Sequence, residues 1–433
     1  MRTTIAAVPD YGAYGRNFAF WMTVFLLTAD QFFFPELNSI ICLIFVVTWV
    51  LVSRKFFPIE PFKILVPYVL LVMLGIFSAF VNGNYSYSLL QDFWYYLKPI
   101  LYFLTGYYIA IKTKSLRFLI GALVIASIIV SIKHLFNFIL NPALLSSQVA
   151  EIREEAGKSM YIVPIALALV IYSIFSKERI LQVNRYLVII CVALNSMSIF
   201  LTFSRTMLLV FFTILISLFG LFNLKGLGFW RLGLLLIGTV GFYFGSVMLL
   251  NYVETGPLGT LLLKIERAPS EVMIDESYLD KKDTFIHWRG YEAAVTLAQY
   301  WKGEWWQQLF GQGLGSMIDI GFYTQLGENY RRFIPRIHNA YAEILFKTGI
   351  LGVVLYLAFI IRLILSPSKS IHTNQERIIR RTIMGIGLST LFATTFVAGF
   401  LNKSSFDPVV VLLGMACGLV YVMKNHKVFI HRS

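Results

Sequence analysis

The residues of this sequence best equipped for chemistry are one histidine and a set of arginines. His338 follows Pro335 and stands just ahead of the apolar run 344–363, which puts an imidazole at a water–membrane boundary. Imidazoles exchange protons near neutral pH, so a histidine placed there suits general acid–base work on a substrate arriving from water. If the helix is continuous from His338, a 3.6-residue period sets Leu345, Gly349 and Gly352 within about 40° of it. The two glycines would then let a neighbouring helix approach closely on the imidazole's face. Glu343 and Lys347 fall on the far side, four apart, in the order that favours a helical ion pair.

The arginines gather on the same side of the membrane. Arg205 interrupts an apolar run from Tyr186 to Phe222. As one helix that run would be about 55 Å long against a hydrocarbon core near 30 Å, so it must turn, and Thr202–Thr206 is the polar place to do so. Arg289 lies on a segment, 283–301, whose Ile286, Tyr291, Ala294, Val295 and Ala298 form an apolar stripe, as an amphipathic helix requires. Arg331, Arg332 and Arg336 crowd the approach to His338. Guanidinium groups present planar donor forks that match phosphate oxygens and hold their charge at any relevant pH. Arg205 and Arg289, brought from different segments, are therefore candidate ligands of a diphosphate, stabilising the charge that grows as it leaves. His338 is the candidate base, and Arg336, Asn339, Lys98 and Arg332 are further candidate substrate contacts. Each has a plainer alternative: a histidine capping a helix, arginines meeting lipid headgroups.

The elements that must position these groups follow from composition. With 58% hydrophobic and 14% charged residues and a mean hydropathy of +0.71, the chain cannot be a soluble domain of 433 residues. The expected fold class is an all-α polytopic membrane protein of about twelve helices. The spans are 17–34, 37–53, 64–81, 98–111, 117–140, 159–176, 186–203, 206–222, 232–251, 337–363, 382–400 and 408–424. Residues 1–251 thus hold nine spans, 252–336 one large external loop with amphipathic helices, and 337–433 three spans and a tail. With a cytoplasmic N-terminus, the loops on its side carry 21 Lys and Arg against four acids; the other side carries 16 against 19. That asymmetry puts both termini inside, so the net charge of +14 reports topology rather than nucleic-acid binding.

Other signals are plainer. Cys42, Cys191 and Cys417 lie far apart inside apolar runs and read as packing residues. Asp275, Glu276, Asp280 and Asp283 are interspersed with Lys281 and Lys282, which reads as a solvated turn, with no metal. The glycines of 311–315 lack the preceding strand of a phosphate loop and read as backbone geometry. No nucleotide fold is visible, so the expected donor is lipid-linked and needs no cofactor.

The chain resembles the bacterial O-antigen ligase and O-antigen polymerase superfamily of membrane glycosyltransferases. Its ligases carry His, then Asn, Ser or Gln, then nine residues and Gly-x-x-Gly-x-x-Gly. Here His338, Asn339, Gly349 and Gly352 match, and Leu355 replaces the last glycine. The segment Thr202–Thr206 is similar to the family's arginine at the start of a span, and Arg289, followed by Gly290 and Tyr291, to its second arginine on a loop helix. The resemblance covers residues 186–363. It implies a GT-C-like helical fold and a bacterial inner-membrane protein with its active site at the periplasmic face. It also implies metal-independent, inverting transfer of a glycan from undecaprenyl diphosphate to a sugar hydroxyl. A ligase takes lipid A core as acceptor, a polymerase another lipid-linked repeat. The second external segment, 141–158, is short, which favours the ligase. A flippase of lipid-linked sugars is the competing class, and it should show repeated halves and broken helices at matching places.

Overall fold

The computed structural model describes residues 13–52, 60–146, 152, 155–157, 160–176, 185–221, 248, 259, 262–263, 266, 288–326, 329–366, 373–396, 399–401 and 406–430. Among these the chain is mostly helical: α1 (Ala13–Thr28), α2 (Pro35–Val52), α3 (Glu60–Val81), α4 (Tyr87–Thr113), α5 (Leu116–Leu140), α6 (Ile162–Phe175), α7 (Arg185–Leu201) and α8 (Arg205–Leu218). After them come α9 (Trp288–Trp301), α10 (Trp305–Phe310), an antiparallel hairpin of β1 (Ile318–Leu326) and β2 (Asn329–Ile334), then α11 (Ala340–Ile364), α12 (Asn374–Phe396) and α13 (Asp407–Ile430). The expected ninth span, 232–251, lies outside the described residues.

Four helical stretches are long and apolar enough to cross a membrane: Lys63–Val81, Leu116–Leu140, Ala340–Ile364 and Asp407–Asn425. Four shorter ones are also apolar. Their burial pattern is that of a membrane-embedded protein. On α3, Val66, Leu70, Met73, Phe77 and Phe80 form an exposed stripe at helical spacing, while Leu65, Tyr68, Leu71, Val72 and Ala79 turn inward. Polar groups are inside instead. Ser127, Ser131 and His134 on α5 meet Cys191, Asn195 and Ser198 on α7, rung by rung. Apolar surface outward and hydrogen-bonded polar surface inward is the arrangement that lipid, not water, stabilises.

Helix directions fix which ends share a side. Gly414 and Gly418 of α13 pack on the backbone at Phe103 and Tyr107 of α4, so those two helices run parallel. On α8 and α12, Thr213 bonds Ser389 while Ser217 bonds the Arg381 carbonyl, so they run antiparallel. The turn at Thr202–Thr206 forms as expected: α7 ends at Leu201, Phe203 takes a left-handed φ of 44°, and α8 starts at Arg205.

Two expectations change. The loop ahead of His338 contains not only the helix α9 but a β-hairpin, packed with α9 and the first turns of α11 in a satellite core that includes Tyr291, Tyr300, Ile318, Ile320, Ile334 and Phe346. And α11 is not one rod. It breaks at Gly349 (φ 66°, ψ −171°), so the apolar run 344–363 spans a kink, and the part beyond it, 350–364, is only about 22 Å long.

Candidate functional site

His338 precedes the helix rather than belonging to it. Asn339 is the N-cap of α11, its side-chain oxygen accepting the Ala342 amide at 3.2 Å, and helical geometry starts at Ala340. The wheel that set Gly349 and Gly352 beneath the imidazole therefore fails at both ends. It began on a non-helical residue and ran through a break.

What the glycines do instead is seat a turn. Gln312 and Gly313 donate their amides to the carbonyls of Phe346 and Lys347, just ahead of the break, at 2.8 and 2.9 Å. Carbonyls ahead of a helix break need donors from outside the helix, and the turn brings two. A Cβ on Gly349 would collide with the Leu309 and Phe310 backbone, and one on Gly311 with the Lys347 backbone. The same turn meets the α3–α4 corner. Ser78 donates to the Phe310 carbonyl, Leu314 donates its amide to Gly75, and Asn84 donates to Gln312.

The segment between β2 and α11 is held by charges. Lys347, fully buried, donates from Nζ to Asp92 Oδ2 and to the Pro335 carbonyl, both at 2.5 Å. The same Asp92 oxygen accepts the Gly315 amide at 2.8 Å. Arg336 lays its guanidinium over the Tyr95 ring, 3.6 Å from the centroid, and donates to the Leu401 carbonyl at 2.7 Å. Its Nε stands 3.8 Å from Asp92 Oδ1. One buried carboxylate on α4 thus ties the glycine turn, the broken helix and Arg336 together. The expected Glu343–Lys347 pair is present but long, at 3.8 Å, and both side chains are buried rather than on a free helix face.

His338 itself is fixed from α9. Glu292 Oε2 accepts the His338 backbone amide at 3.1 Å and faces its Nδ1 at 2.8 Å. The glutamate side chain is 4% exposed and the imidazole 50%. Nε2 has no partner among the described residues, so the ring offers one free nitrogen on its open side. Beside Asn339 an apolar groove of about 250 Å³, lined by Leu297, Tyr341, Leu345 and Val354, runs along α11.

The other candidates divide. Arg289 is partly buried on α9, one turn before Glu292, which brings it to the helix that holds His338. Arg205 opens α8, and the antiparallel pairing with α12 puts that opening at the end of the bundle where α12 finishes and Leu401 accepts Arg336. Lys98 is 3% exposed, paired with Asp407 at 3.0 Å and set near the Tyr95 and Tyr102 rings, a neighbour of Arg336 through Tyr95. Arg332 grips Asp319 across the hairpin with two bonds of 2.8 Å, and that guanidinium holds the Asp319 carboxyl below its ordinary range. It is a hairpin brace. Arg331 is exposed.

Sequence reasoning missed Glu292, Asp92 and the role of Lys347. Glu292 had a readable signal: it is the one acid in the buried stretch Gly290–Thr296 of an amphipathic helix, where a carboxylate needs a partner. Asp92 gave none, because its partners are 223 and 255 residues away. No family model matches the chain, and no curated protein matches it.

Proposed function

We propose that this protein is an inverting, metal-independent glycosyltransferase of the bacterial inner membrane, of the O-antigen ligase type. It moves a glycan from undecaprenyl diphosphate to a sugar hydroxyl of lipid A core at the periplasmic face. About twelve spans in a GT-C-like arrangement, with both termini cytoplasmic, complete this reading. The observation that carries it is the half-exposed imidazole of His338, held through Nδ1 by buried Glu292 with Nε2 free. A base so held can take the proton of an acceptor hydroxyl as it attacks the anomeric carbon. Arg289 on the same helix and Arg205 at the same end of the bundle suit the leaving diphosphate, with Arg336 behind them. The groove beside Asn339 offers apolar surface for a lipid tail. The test is purified protein in detergent with a lipid-diphosphate glycan and either lipid A core or a second lipid-linked repeat, following free undecaprenyl diphosphate. Release that requires lipid A core supports the ligase; release that requires the second repeat makes it a polymerase; no release with either sinks the enzyme reading.

A second reading, transport of the lipid-linked glycan, is favoured by the break of α11 at Gly349 beside the buried charges Asp92, Glu343 and Lys347. Movement of intact donor across vesicles without release of diphosphate would establish it.

A further inference from the structure

We infer that Glu292 is a positioning residue for His338: it fixes the ring as the Nδ1–H tautomer and supplies the negative charge that balances the ring once Nε2 has taken a proton. The inference rests on the reading of His338 as the base. Among the described residues, the hydrogen bonds of the Glu292 carboxylate all go to His338, one to its amide and one to its ring. A tie needed only for the fold would be met as well by an amide, since Gln accepts the same two N–H groups through one oxygen. A carboxylate buried to 4% exposure is costly unless a cation faces it. Among the described residues the group this carboxylate meets directly is the His338 ring, which becomes a cation once Nε2 takes a proton. Tyr291 on the adjacent position is taken by the Ile320 carbonyl, and Thr296 by the Glu292 backbone, so neither competes for the ring.

In the transfer step the acceptor O–H bond breaks and its proton goes to Nε2. The acceptor oxygen bonds to the anomeric carbon, and the anomeric C–O bond breaks with its electron pair leaving on the diphosphate. Water later removes the proton from Nε2. With Nδ1 held as a donor, Nε2 is the basic nitrogen throughout, and the imidazolium that appears is paired the moment it forms.

The test uses full-length protein with ¹⁵N-labelled histidine, the His338 signals being assigned by their loss in His338→Asn. Ring-nitrogen shifts at alkaline pH should show Nδ1–H in the unaltered protein and in Glu292→Gln, and a mixture of tautomers in Glu292→Ala. In turnover, Glu292→Gln should lower kcat roughly tenfold to a hundredfold with KM unchanged, the bond being kept and the charge lost. Glu292→Ala should be lower still. An Nε2–H ring in the unaltered protein, or a Glu292→Gln kcat equal to it, overturns the inference. The nitrogen spectra need no substrate, so a protein that shows the tautomer shift but never transfers glycan keeps the pairing and refutes the transferase reading alone.

Discussion

Replacing Gly349 with alanine tests the broken helix most sharply. At φ 66°, ψ −171° Gly349 occupies a region open in practice only to glycine, and holding an alanine there costs about 1–3 kcal/mol. The new methyl would also meet the Leu309 carbonyl and the Phe310 amide, backbone atoms that cannot turn aside. Overpacking of that kind adds about 1–3 kcal/mol, so the total is about 2–6 kcal/mol. Gly121→Ala is the control. In α5 its methyl meets only the Phe20 ring, at an ordinary van der Waals distance of 3.6 Å, and alanine recovers about 1 kcal/mol of helix propensity. The two variants should therefore separate by several degrees in thermal unfolding followed by tryptophan fluorescence in one detergent. Gly349→Ala should also lose transfer, because Lys347, two residues away, holds the Pro335 carbonyl ahead of His338. Equal melting of the two variants would mean that the kink is not a feature of the folded protein.

Other outcomes follow from the same contacts. Lys347→Met strands Asp92, fully buried, with Arg336 at 3.8 Å as its remaining cation among the described residues, and should cost about 3–5 kcal/mol; adding Asp92→Asn should restore at least half of that in the same melt. Arg205→Lys keeps a charge but loses the planar fork, so glycan transfer should fall roughly tenfold to a hundredfold, whereas Arg331→Ala at its exposed site should change it less than threefold or so. Equal losses at both arginines, with normal membrane insertion, would mean that the cluster is ranked wrongly.

The parts legible in the sequence were those set by composition and local pattern. Hydropathy located the apolar helices, helix length forced the turn before Arg205, and an apolar stripe marked α9. Ile318 and Ile320 alternate as a strand should, but one short hairpin between a glycine turn and the approach to His338 offers too little pattern to separate it from loop, and the sequence reading assigns it no element. The errors around His338 have one cause. A helical wheel assumes unbroken geometry, and the break at Gly349 is stabilised by amides of Gln312 and Gly313, donors that no local window contains. Asp92 was invisible for the same reason, since its burial is tolerable only because Lys347 and Gly315 arrive from distant chain. Of the positions after His338, Gly349 seats the turn, while Leu355 lies in the helical stretch beyond the break, where a side chain is accommodated.

In the proposed transfer, His338 handles the acceptor's proton while other groups hold the donor. His338→Ala removes the free Nε2 and leaves Arg205, Arg289 and Arg336 in place. Purified variant and unaltered protein would be compared for binding of a lipid-diphosphate glycan and for release of undecaprenyl diphosphate in the presence of acceptor. Donor binding within about threefold of the unaltered protein, with release lowered by about 10²–10⁴-fold, is the predicted result. Release at an undiminished rate, or loss of donor binding in step with loss of release, would contradict it.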